Sequence, residues 1–173
     1  LLSFREPGIL LEVSLHFGTL LAILIVFRRE LWEIMRSTAW GIWLVLTGEG
    51  VRSAAGQAPG LPVGVAIIVG TIPAGLAGIF LRDSIEAAFQ SDIRVTGVFL
   101  VVTGLILLSS RFAPEGKVER VGPGRGFLVG VAQALALLPG ISRSGSTIVA
   151  GYFLGVRRSA AARFSFLLAL PAL

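Results

Sequence analysis

The sequence predicts an all-α, polytopic transmembrane protein organised around one re-entrant helix-loop-helix. Three observations predict it. Of the 173 residues, 54% are hydrophobic and 14% are charged, and the mean hydropathy is +0.86, whereas a soluble domain carries about 25% charged residues. The apolar residues fall in long runs of the length that crosses a bilayer, about 20 residues. A polar knot, LPGISRSGST at Leu138–Thr147, interrupts one such run at a depth where lipid offers polar groups no partner. The 22 glycines agree with close helix packing in lipid.

In chain order, Ile9–Phe27 is the first span, carrying Glu12, Ser14 and His16. Arg28-Arg29 ends it at an interface, and charged Glu30–Arg36, with Trp32, reads as an interfacial turn of helix. Thr38–Thr47 is apolar but ten residues long, too short to cross. It reads as an interfacial or re-entrant piece, with Trp40 and Trp43 as interface anchors. Gly48–Pro62 is a loop by its Gly, Pro and Ser content. Val63–Leu81 is the second span, with Pro73 inside it and Gly70, Ala74, Gly75, Ala77 and Gly78 as a packing face. Arg82–Asp92 is a short polar link. Ile93–Leu108 is the third span, interrupted by Arg94, Thr96 and Thr103, and Ser109–Gly124 is a solvated connector. Residues 126–156 hold the two apolar arms around the Pro139-Gly140 break, followed by Arg157-Arg158 and an apolar run, 160–173, too short for a full span. Residues 1–173 read as a single integral membrane domain. It starts at Leu1 rather than Met and stops within an apolar run, so the expectation is a domain incomplete at both ends.

Charge placement argues that 126–156 dips in and returns. If it does, Arg28, Arg29, Arg36, Arg52, Arg111, Lys117, Arg120, Arg125, Arg157 and Arg158 share one side, leaving Arg5, Arg82 and Arg94 on the other. That is a clear positive-inside bias. A single kinked crossing would move Arg157-Arg158 to the poor side.

The knot concentrates Arg143, four hydroxyls (Ser142, Ser144, Ser146, Thr147) and the backbone N–H groups around Gly140 and Gly145. All can donate hydrogen bonds, and a guanidinium plus helix-opening N–H groups fits an anion with several oxygens, phosphate best. The plainer alternative is a Pro/Gly kink whose hydroxyls bond their own backbone, with Arg143 snorkelling to the interface. Ser142 is a candidate nucleophile only beside an activating base. No base is near in sequence, which favours hydrogen-bond donation. Glu12 and His16 share a helix face and read either as a proton-relay or metal pair or, more simply, as a mutually satisfied polar pair. The chain has no Cys and one His, which excludes disulfides, thiolate metal sites and a polyhistidine site. The net charge of +5, without an aromatic-rich basic module, fits anionic headgroups and not nucleic acid.

These residues bring a family into view. GVAQALALLPGISRSGSTIVAGYFLGVRRSAAARFSFLLALP resembles the second signature region of the bacterial undecaprenyl-diphosphate phosphatases, the bacitracin-resistance family. Pro139 through Thr147 match its PGxSRSGxT core at every fixed position. LEVSLHFGTLLAILIVFRREL (Leu11 to Leu31) and VGTIPAGLAGIFLRDSIE (Val69 to Glu86) resemble two further blocks, in the family's order. The resemblance implies a membrane phosphatase that converts undecaprenyl diphosphate to undecaprenyl phosphate and inorganic phosphate, recycling the lipid carrier of cell-wall synthesis in the bacterial plasma membrane. It implies an inverted-repeat architecture with two re-entrant segments. It carries pyrophosphate gripping over to Arg143 and binding or orientation to Ser142, Ser144 and Thr147, with Gly140 and Gly145 opening the backbone and Gln133 lining the same pocket. The family's first signature, with its Glu pair, Ser-Ser turn and His, is expected upstream of Leu1, together with carboxylates for a divalent cation (Mg or Ca). The 173 residues alone are therefore expected to be inactive. Two other readings stand beside the enzyme: a lipid-phosphate transporter or flippase using the same broken-helix anion site, and a degenerate relative retaining only the clamp. The sequence leaves the oligomeric state open.

Overall fold

The computed structural model describes residues 9–89 and 93–172, the side chains of 9–13 and of 172 excepted. Glu12 and residue 173 thus lie outside the described side chains.

Pro139 and Gly140 stop the helix that the preceding apolar run would continue, because proline lacks the N–H and clashes with the turn before it. The result is a helical hairpin. α6 (Pro123–Leu135) starts with Pro123 in its first turn, where a missing N–H costs nothing. α7 (Arg143–Phe153) returns after the break. The two open ends are tied together. Val118 N–H donates to the Gly155 carbonyl at 3.1 Å, and Arg157 N–H donates to the Val118 carbonyl at 2.8 Å. Arg125 Nε donates to the Leu154 carbonyl at 3.0 Å. The chain therefore leaves the hairpin where it entered, with Arg120, Arg125, Arg157 and Arg158 gathered at that end.

Three helices hold the hairpin. α3 (Leu61–Phe80) runs parallel to α6. A Cβ on Gly126 would meet Ala66, and one on Gly130 would collide with the Gly70 carbonyl, so the two backbones touch at successive turns. α8 (Arg158–Ala169) runs antiparallel to α7, with Gly151 against Ala161 and Thr147 against Ser165. Between these helices lies a core of Ala66, Val129, Val156, Ala161, Phe164 and Leu168. α5 (Ile93–Ser109) lies along α7, with Thr96 and Thr103 beside Gly140 and Leu107 beside Gly145.

α1 (Ile9–Leu46) is one helix of 38 residues, about 57 Å at 1.5 Å per residue. Glu30–Arg36 and Thr38–Thr47 thus continue the helix of the first apolar run and are not separate pieces. No proline lies between Ile9 and Leu46, and Glu, Arg, Leu and Met are good helix formers. A change of polarity moves a helix's surroundings without breaking its backbone ladder. The second half is also anchored: Ser37 Oγ accepts the Gly60 N–H at 2.8 Å, and Gly41 sits under Leu61 and Ala58. The expected 48–62 loop contains a short helix, α2 (Val51–Gln57), and α4 (Arg82–Phe89) occupies the polar link.

Among the described residues, two helical stretches are long and apolar enough to cross a membrane, Leu61–Phe80 and Ile93–Phe112. None of the described residues of α5 is buried. Val98, Leu100, Val101 and Leu105, with Ile68, Ile72 and Ile79 of α3, stand exposed. A surface this apolar marks contact with lipid or with further protein.

Candidate functional site

The break between α6 and α7 is built around Gly140. Its φ of 91° lies in the left-handed region that side-chain-bearing residues rarely enter. A Cβ there would also stand 2.6 Å from the Thr96 carbonyl oxygen. Two constraints thus demand glycine at one position. Ser142 follows as the N-cap of α7, and its Oγ accepts the Gly145 N–H at 3.2 Å. This is the standard solution for orphan N–H groups at a helix start. It uses the oxygen of Ser142 as an acceptor and leaves the hydroxyl proton to donate.

Arg143 is the first residue of α7 and is partly buried. A cation at a helix N-terminus opposes the helix dipole, so the placement suits an anion shared between guanidinium and helix. Ser144 is exposed beside it, and neither its N–H nor its hydroxyl proton has a partner among the described residues. Other donors of the break are committed: Ile141 N–H to the Leu138 carbonyl, Ser146 N–H to the Ser142 carbonyl, and Ser142 N–H to Thr103. Gly145 packs against Leu107 and Ser142.

Two expected site side chains are buried. Thr147 is 2% exposed. Its Oγ1 lies 2.9 Å from the Arg143 carbonyl, 3.2 Å from the Ser144 carbonyl and 2.6 Å from Ser165 Oγ. It thereby ties the first turn of α7 to α8 from within. Gln133 is 1% exposed, on the α6 face that carries Gly126 and Gly130 against α3. Its Oε1 and Nε2 are buried without a hydrogen-bond partner among the described residues. Gly140, Ser142, Arg143, Ser144 and Gly145 are brought together. Thr147 supports that group from behind, and Gln133 stands on the other arm of the hairpin.

Thr103 and Ser165 were missed as contributors. Each touches the break or its first helical turn through a hydroxyl, from a helix distant in sequence. Their only local signal is a polar residue inside an apolar run. Among the described residues, no group of three or more His, Asp or Glu could hold a metal ion. The break offers donors, whereas a hard divalent cation needs several anionic or carbonyl oxygens, so these residues do not form a cation site.

The sequence profile described as bacitracin resistance protein BacA matches residues 1–173. The chain belongs to the BacA family. This BacA-family chain is 45% identical to an undecaprenyl-diphosphatase of Desulfosudis oleivorans, over 100% of the chain and 63% of that protein. It is equally 45% identical to the undecaprenyl-diphosphatase of Thermomicrobium roseum, over 100% of the chain and 62% of the relative. It is 38% identical to undecaprenyl-diphosphatase 2 of Streptomyces coelicolor, over 98% of the chain and 60% of the relative. The BacA-family chain thus spans about three fifths of the length of these curated relatives.

Proposed function

We propose that the chain forms the phosphate-gripping part of a multi-pass plasma-membrane phosphatase that hydrolyses undecaprenyl diphosphate to undecaprenyl phosphate and inorganic phosphate. The observation that carries this reading is the placement of Arg143 and Ser144 at the opening of α7, on a break beside the body of α5. Thr96 and Thr103 flank Gly140, which puts the break roughly 5–15 Å along α5 from its start at 1.5 Å per residue. If α5 spans the bilayer, the hairpin is re-entrant and its donors stand within the membrane. Irregular backbone is tolerated there only where protein or a wet cavity surrounds it. The exposed apolar faces of α3 and α5 supply lipid contact and a path for the prenyl tail. The family name and the names of the relatives support the substrate and the reaction.

The chemistry is phosphoryl transfer to water. A water oxygen forms a bond to the terminal phosphorus, the bridging P–O bond breaks, and the bridging oxygen leaves with the prenyl phosphate. Catalysis of this kind is mainly positioning plus charge stabilisation. Arg143 spans two non-bridging oxygens, and the Ser144 N–H and hydroxyl with the Ser142 hydroxyl donate to the others. These bonds strengthen as charge builds on the oxygens. Ser142, capping Gly145, acts as a donor and not as the attacking group. The water-activating base, the carboxylates for a Mg or Ca ion and the inverted-repeat partner are assigned to chain outside these residues.

Gln133 is assigned to substrate binding because its buried amide has no hydrogen-bond partner among the described residues, and such a group calls for a partner. Gln133→Leu is close in volume and removes two unpaired buried atoms. In the ligand-free full-length protein the melting temperature is expected to stay level or rise, since an unpaired buried polar group costs about 1–3 kcal/mol. The catalytic efficiency is expected to fall about tenfold, the worth of one such bond. A clear fall in melting temperature would mean that the amide has a protein partner instead.

The test of the reaction is phosphate release from undecaprenyl diphosphate by the full-length protein in detergent. One inorganic phosphate per lipid, with undecaprenyl phosphate as the other product, is the expected result. Lipid that is bound and recovered intact would contradict hydrolysis.

A further inference from the structure

Several threonine hydroxyls in these helices are spent locally. Thr19 donates to the Leu15 carbonyl at 2.8 Å, Thr47 to the Trp43 carbonyl at 3.1 Å and Thr71 to the Ile67 carbonyl at 2.8 Å. Each bond runs one turn back along the chain, the ordinary use of such a residue. Thr103 departs from this pattern. Its Oγ1 lies 2.7 Å from the Gly140 carbonyl and 3.1 Å from the Ser142 backbone nitrogen. A carbonyl only accepts and a backbone N–H only donates, so the directions are fixed. The hydroxyl donates to Gly140 and accepts from Ser142. One side-chain oxygen therefore bridges the peptides on both sides of Ile141, within the turn that delivers Arg143.

We propose that Thr103 is a positioning residue of the phosphate clamp, through which α5 sets the conformation of the Gly140–Ser142 turn and so the stance of Arg143. The inference rests on the clamp reading given above. Three observations bear on it together. The bridge joins residues nearly forty apart, so nothing local replaces it. It occupies the Ser142 N–H and thus removes that group from the ligand-binding donors. It holds the N-cap residue by its backbone while the Ser142 side chain caps Gly145. The same turn is pressed onto α5 at Gly140, where a Cβ would meet the Thr96 carbonyl and Phe99. Thr103 does not reach the substrate itself. It acts through the backbone ahead of Arg143, and displacing a catalytic group by about 1 Å costs up to about 100-fold.

The experiment compares Thr103→Val, Thr103→Ser and Arg143→Ala in the full-length protein, measuring kcat and KM for phosphate release and the melting temperature in detergent. Thr103→Val keeps the shape and removes the hydroxyl. It is expected to lower kcat/KM by about 10- to 100-fold. Thr103→Ser restores the bridge and is expected to return kcat/KM to within about threefold of the unmodified protein. A purely structural role would lower the melting temperature of Thr103→Val and leave the kinetics of the folded fraction unchanged, and that result would overturn the proposal. So would wild-type kinetics for Thr103→Val. If Thr103→Val does not fold, Thr103→Cys, with its weak donor and acceptor, takes its place, and kinetics equal to those of Thr103→Ser would refute the bridge. Activity surviving Arg143→Ala would instead remove the clamp reading itself, which separates the two failures.

Discussion

Arg143→Ala in the full-length protein is expected to lower phosphate release by about 10²–10³-fold, the cost of removing one preorganised donor from a site where charge develops. The loss should appear in kcat/KM of the folded protein. Arg143 heads α7, where its charge and the helix-opening N–H groups can meet one anion. Arg143→Lys is expected to recover only part of the activity. Lysine keeps the charge but presents a point donor, whereas a guanidinium binds two oxygens of a phosphate at once. Steady-state kinetics of the three proteins on undecaprenyl diphosphate check both statements. Equal activity of Lys and Arg would show that charge alone matters.

The second large effect is on folding. Gly130→Ala is expected to destabilise the protein by about 3 kcal/mol or more, at the top of the range for overpacking. The added methyl would collide with the Gly70 carbonyl, which is backbone of α3 and has no rotamer to move. The helices would have to separate, opening the contact that seats the hairpin on α3. Gly75 and Gly78 lie on the same α3 helix and meet nothing within 4 Å. Alanine at either is expected to be neutral or mildly stabilising, because alanine favours helix over glycine by about 1 kcal/mol. Melting temperatures in detergent for Gly130→Ala and Gly75→Ala decide the point. An unaffected Gly130→Ala would mean that α3 and α6 do not touch there.

The contrast between those glycines also shows where sequence reading stopped. Gly70, Ala74, Gly75, Ala77 and Gly78 looked like one packing face. Of these, Gly70 and Ala74 are buried, because only their side of α3 meets α6. Composition marks small residues, but tertiary contact selects which of them are used. The helical break was legible because it is local: Pro139-Gly140 fixes it, and Ser142 is a strong N-cap residue. Helices α3 and α5 were legible for the same reason, since they follow their apolar runs. The continuous α1 was not, because charge at Glu30–Arg36 signals a change of surroundings and says nothing about breaking backbone bonds.

At the site, the grouping of Ser142, Arg143 and Ser144 followed from adjacency. The burial of Thr147 against Ser165 did not, because it depends on α8 packing over that face of α7. Thr103 was legible only as a polar interruption. Its partners, Gly140 and Ser142, become neighbours through the lie of α5 along the hairpin. The buried amide of Gln133 belongs with these. Its position four residues before Leu137 places it on the arm leading in, but its burial depends on the tertiary packing of α6.

The most direct test of the central claim, that the break at Leu138–Thr147 grips phosphate oxygens, is equilibrium binding of a prenyl diphosphonate whose P–C–P bridge cannot be hydrolysed. Binding is measured for the full-length protein and its Arg143→Ala variant. The account predicts a dissociation constant raised at least about tenfold in the variant, the worth of one charge-assisted hydrogen bond of about 1.5–3 kcal/mol. An unchanged dissociation constant would contradict it and return Arg143 to the role of an interfacial anchor.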